Sequence, residues 1–152
     1  MYKEKVLIIK LGYSETLDGE IGKATSLGDV LRSTVLLHLY KNANVTWLVD
    51  EKAFQLLKGN PYIHRIIFYD LTSVLQLQSE RFDTLINLEK VPGLCAFSDS
   101  LKAWRRYGFR FDPEKMVLRL PMTALSMYWE FVWMLSIRER HGGIGKRYYM
   151  KW

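Results

Sequence analysis

Cysteine, histidine and proline are scarce in this chain: one, three and four among 152 residues. A single thiol, Cys95, cannot build a disulfide framework. His38, His64 and His141 have no partners at metal-ligand spacing, so no metal site is expected. Internal repeats and low-complexity tracts are missing as well. No phosphate loop is present: Gly22-Lys23 would need glycine at 17 and Ser or Thr at 24, where Leu17 and Ala24 stand. Gly145-Lys146 fails in the same way, with Arg140 and Arg147 at those positions. No GxGxxG follows the first apolar run, which removes the dinucleotide fingerprint. That run, residues 6–9 behind Met1-Tyr2-Lys3-Glu4-Lys5, is too short for a signal sequence, and a reducing cytoplasm is expected.

What is present suits one folded domain. The chain is 49% hydrophobic, 25% charged and 14% aromatic, which excludes disorder and provides enough material for a core. A fold of this length buries roughly 70% of the surface its unfolded chain exposes. The net charge of +6 is unevenly spread. Residues 1–101 hold 11 basic and 12 acidic side chains, whereas residues 102–152 hold 11 and 4, so the basicity belongs to the last third.

Lys5-Val-Leu-Ile-Ile-Lys10 is a β-branched, uniformly apolar run, as expected of a strand buried on both faces of a parallel sheet. Similar runs occur at 45–49, 64–69 and 82–88, with helical stretches at 29–40, 51–57 and 71–80 between them. Gly59-Asn60-Pro61 stops the second helix. A spacing of roughly 20 residues between strand and helix signals suits right-handed βαβ crossovers, and so an α/β, Rossmann-like, doubly wound parallel sheet. A domain is expected over 1–112, with a glycine- and acid-bearing insert at 11–25 where such folds usually turn within 2–6 residues. Residues 113–152 are expected to form a helical, basic C-terminal segment, with a helix over 122–137 that contains Trp129 and Trp133.

The most informative segment is Ser26-Leu-Gly-Asp-Val30, opening the helix after the first strand. Gly28 permits a close approach of backbone or ligand, and Asp29 stands at the carboxyl edge of the sheet, where open α/β folds bind ligands. Ser26 or Asp29 also serves well as a helix cap, and the residues alone leave both readings open.

Lys5-Val-Leu-Ile-Ile-Lys-Leu-Gly12, Ser26-Leu-Gly-Asp-Val-Leu31 and Val45-Thr-Trp-Leu-Val-Asp50 together resemble the N-terminal domain of family 9 glycosyltransferases, the ADP-heptose:lipopolysaccharide heptosyltransferases and their relatives. Leu56-Leu-Lys-Gly-Asn-Pro-Tyr-Ile63, Phe82-Asp-Thr-Leu-Ile-Asn-Leu88 and Arg105-Arg-Tyr-Gly-Phe109 extend the resemblance over residues 5–111, in order. It implies one half of a GT-B-type enzyme: an acceptor-binding half that works with a separate donor-binding half. The implied reaction is inverting and metal-independent. It moves a heptose-like sugar from a nucleotide-diphospho-sugar, a co-substrate rather than a cofactor, to a lipopolysaccharide or other glycan acceptor. Asp29 matches the family's proposed general base.

Strand ends face the ligand cleft, so Lys10 and Lys90 join Ser26 and Gly28 as expected contacts to an acidic acceptor. Cys95 reads as a small buried hydrophobe. The eleven aromatics and positive charge of 102–152 would also suit nucleic acid, but no recognition motif accompanies them and none is expected to bind. Residues 120–137 carry one charged side chain, Glu130, and are followed by Arg138, Arg140, Lys146, Arg147 and Lys151. That pattern suits either a core helix or peripheral contact with an inner-membrane surface. A non-catalytic binding domain, or a fragment without activity of its own, is the alternative to the enzyme reading.

Overall fold

The computed structural model describes residues 2–13, 26–115 and 118–120 of the chain. Among these residues six strands form one sheet: β1 (Lys5–Ile9), β2 (Asn44–Val49), β3 (Arg65–Phe68), β4 (Arg81–Asn87), β5 (Lys102–Arg110) and β6 (Leu118–Leu120). Their order is β3-β2-β1-β4-β5-β6. The first five are parallel, and β6 runs antiparallel to β5. This is the doubly wound order, with chain direction along the sheet reversing between β1 and β4. Because β6 belongs to the sheet, the sheet extends past residue 112, the boundary expected from the sequence.

The described residues hold four α-helices, α1 (Leu27–Ser33), α2 (Phe54–Leu57), α3 (Leu71–Ser79) and α4 (Pro92–Ser100). Right-handed crossovers place α1 and α2 on one face of the sheet and α3 and α4 on the other. The core agrees: Leu77 of α3 and Leu94 of α4 pack with Leu7, Ile9, Leu48 and Leu85. β1 is central, and Val6 to Ile9 are wholly buried, which is why its sequence has no polar alternation. Trp47 of β2 is also fully buried, and its indole N–H donates to the Lys10 carbonyl at 3.1 Å.

Strands expected at 5–10, 45–49, 64–69 and 82–88 are found with ends shifted by at most one residue. The helix expected over 29–40 begins at Leu27 and tightens into a 3-10 helix over Thr34–Tyr40. That over 51–57 likewise opens with a 3-10 turn, capped by Asp50, whose carboxylate accepts from the Lys52 amide at 3.0 Å. Asp70 caps α3 through the Ser73 amide at 2.8 Å. Three elements had no counterpart in the sequence reading, α4, β5 and β6, the last a strand within the segment expected to be helical. The residues expected to form the helix at 122–137, the insert from 14 onward, His141 and the basic tail lie outside the described residues.

Candidate functional site

Three strand ends and the opening of one helix meet at the carboxyl edge of the sheet. After β1 come Lys10, Leu11, Gly12 and Tyr13; after β4 come Leu88, Glu89 and Lys90; after β2 comes Asp50. Ladder bonds continue past the strands, with the Lys10 amide donating to Leu48 at 3.2 Å and the Leu88 amide donating to Ile9 at 2.9 Å. The loops after β1 and β4 flank the point where the sheet reverses direction, the usual ligand crevice of this architecture.

Glu89 joins those two loops. Its Oε1 accepts from the Leu11 and Gly12 amides, each at 2.7 Å, and lies 3.3 Å from Lys10 Nζ. The Glu89 side chain is 1% exposed. Burial raises its carboxyl above the ordinary carboxylate value, while Lys10 and the two amides pull it back. Asn87, fully buried at the end of β4, receives the Glu89 amide on Oδ1 at 3.1 Å. Its Nδ2 donates to the Phe109 carbonyl of β5 at 2.8 Å, so one side chain ties both strand ends to the loop.

The β1 loop is also held on its other side. The Ser26 amide donates to the Gly12 carbonyl at 2.6 Å, which places the start of α1 beside the end of β1. Tyr13 donates its hydroxyl to Asp50 Oδ2 at 3.3 Å. Burial, together with the Asp50 charge, pushes the Tyr13 phenol up to about 12.

Ser26 occupies the N-cap position of α1 but makes no side-chain cap hydrogen bond. Asp29, in the first turn, accepts on Oδ1 from Arg32 Nη2 at 2.9 Å, and its side chain is 13% exposed. Ser33 Oγ donates to the Asp29 carbonyl at 2.7 Å. A Cβ added at Gly28 would meet only Arg32 Nη2, at an ordinary contact distance of 3.5 Å. Packing among the described residues therefore does not demand glycine there.

The two lysines expected to face an acceptor differ. Lys10 is 7% exposed and its ammonium is committed to Glu89, because a buried cation needs an anion beside it. Lys90 is half-buried, with Nζ over the Phe109 ring at 5.2 Å from the centroid. Glu89, Asn87, Tyr13 and Asp50 were missed by the sequence reading, which looked for cations at strand ends. The available signal was an acidic residue directly beside Lys90, past the last residue of a buried strand. Among the described residues no three His, Cys, Asp or Glu side chains cluster to hold a metal ion. No described helix is long and apolar enough to cross a membrane.

Cys95 is buried in α4 and donates its thiol to the Glu89 carbonyl at 3.2 Å. Burial pushes the thiol from 9.0 up to about 11. A rise of that size leaves about a hundredfold less thiolate near neutral pH. Iodoacetamide at pH 8 is therefore expected to alkylate the folded chain at least about a hundredfold more slowly than the urea-unfolded chain. Comparable rates would show that the α4 pocket opens readily.

This geometry can be set against solved structures. A glycosyl transferase family 9 structure from Veillonella parvula matches 69% of this chain and 31% of its own, at 23% identity and a TM-score of 0.51. The E. coli heptosyltransferase WaaC, solved with ADP, matches 95% of this chain and 49% of its own, at 15% identity and a TM-score of 0.53. The chain shares its fold with part of each of these two structures. The chain spans half or less of the length of these structures. No protein-family model and no curated protein matches it.

Proposed function

We propose that this chain is the acceptor-binding half of an inverting, metal-independent glycosyltransferase of the family 9 kind. It would transfer a heptose-like sugar from a nucleotide-diphospho-sugar to a lipopolysaccharide or other glycan acceptor. The observation that carries this reading is the position of Asp29: it opens the helix after β1, at the carboxyl edge of a sheet whose fold is shared with such enzymes. Asp29 would accept the proton of the acceptor hydroxyl. The oxygen then bonds to the anomeric carbon from the face opposite the diphosphate, and the carbon–oxygen bond to the nucleotide breaks, its electron pair leaving with the diphosphate. Arg32 fixes the carboxylate through the 2.9 Å contact.

In this proposal Ser26, Gly28 and Lys90 contribute to the acceptor side, and Lys10 acts only through Glu89. The donor is held mainly by a separate half, at the cytoplasmic face of the inner membrane, where acceptors of this kind are presented.

Calorimetric titration of the 152-residue chain tests the assignment. Saturable binding of an acidic glycan acceptor is expected, with weak or no binding of ADP- and UDP-sugars. A saturable nucleotide-sugar site in the micromolar range would make this the donor side instead. Acceptor binding without transfer, once a donor-binding half is supplied, would favour a non-catalytic binding domain.

A further inference from the structure

In open α/β folds the turn after the first strand commonly receives a ligand phosphate. Here that turn already holds an anion. The consecutive amides of Leu11 and Gly12 converge on one oxygen, and the Lys10 ammonium approaches the same atom. Successive N–H groups with a cation beside them are the components of an anion-binding concavity. Gly12 has φ 93°, in the left-handed region that glycine adopts without strain, and this backbone bend accompanies the convergence. The oxygen comes from the opposite lip of the crevice, at the end of β4, and its side chain is almost wholly buried.

We infer that Glu89 is an internal anion standing where a ligand phosphate would sit at the switch point, and that it determines specificity by excluding phosphate from this turn. A phosphate entering the turn would have to displace a carboxylate that holds two amides and an ammonium. It would then lie against the displaced negative charge, and like charges at such separation disfavour each other. The inference concerns the turn after β1 and does not depend on glycosyl transfer.

The test compares the wild-type chain with Glu89→Ala and Glu89→Gln in sodium chloride, formate and phosphate at one ionic strength, reading thermal unfolding. Glu89→Ala exposes the amides and ammonium. It is expected to regain stability saturably in formate or phosphate, with an apparent affinity about tenfold or more tighter than any wild-type response, since charge-assisted bonds then go to the added anion. Wild type and Glu89→Gln, whose side-chain oxygen still accepts from the amides, are expected to stay indifferent to the choice of anion. Should Glu89→Ala fail to fold in chloride, its refolding yield against formate concentration is measured, and recovery is the expected result. An anion response of Glu89→Ala no greater than wild type overturns the inference. So does a lack of refolding recovery, or a Glu89→Gln response equal to that of Glu89→Ala.

Discussion

Gly108→Ala is expected to cost the fold about 2–5 kcal/mol, read as the change in unfolding free energy from urea titration. Gly108 lies in β5, opposite Asn87 of β4 on one side and Leu120 of β6 on the other. Its φ is 95°, a conformation that costs an L residue about 1–2 kcal/mol. A Cβ built there would stand 1.9 Å from the Asn87 carbonyl oxygen and 2.8 Å from the Asn87 carbonyl carbon. Both atoms are backbone, so no flexible side chain can swing aside; β4 and β5 must separate, adding about 1–3 kcal/mol of overpacking strain. The damage would reach the candidate site, because the Asn87 side chain carries both the Phe109 and Glu89 contacts. Gly28→Ala is the control, since its added methyl meets only the end of Arg32. A loss below about 1 kcal/mol in Gly108→Ala would show that β5 is not held in this conformation.

The contrast between these two glycines shows what the sequence discloses. The central strands were legible because burial on both faces leaves an unbroken apolar run, as in Val6 to Ile9. β5 was not, because Lys102, Arg105, Arg106 and Arg110 interrupt it. The strand tolerates them because, among the described residues, β6 pairs with 108–110 alone and Trp104 is 89% exposed. Arg105 instead reaches Glu4 at 2.6 Å, and Arg106 donates to the Ser98 carbonyl at 2.7 Å, partners far apart or irregularly spaced in the sequence. The place of Asp29, in the first turn of the helix after β1, was legible from the strand and helix signals around it. Glu89 was not, since its role depends on amides 77 and 78 positions away in the chain. A buried carboxylate whose donors are backbone groups leaves no pattern of side-chain types to find. Lys10 misled for the complementary reason: a lysine at a strand end reads as a ligand contact until its anion is seen.

Asp29→Asn is expected to lower turnover by about 10²–10⁴ when the chain is assayed together with a donor-binding half, a range typical of losing a general base. The substitution is nearly isosteric, and its oxygen can still accept from Arg32. The ion pair it weakens is partly exposed, with the Arg32 side chain 33% accessible, so its stability contribution is only about 0.2–1 kcal/mol. The urea midpoint measured on the same variant separates a loss of turnover from a loss of fold. In the proposed step the attacking hydroxyl gains acidity as it bonds to the anomeric carbon, and the carboxylate takes its proton then. Acceptor affinity separates the roles further. A general base lost at Asp29 lowers turnover with acceptor binding intact, whereas a residue that merely holds the acceptor shifts binding and leaves turnover at saturation near wild type. Wild-type turnover in Asp29→Asn would remove this carboxylate from the chemistry and leave it as a partner of Arg32.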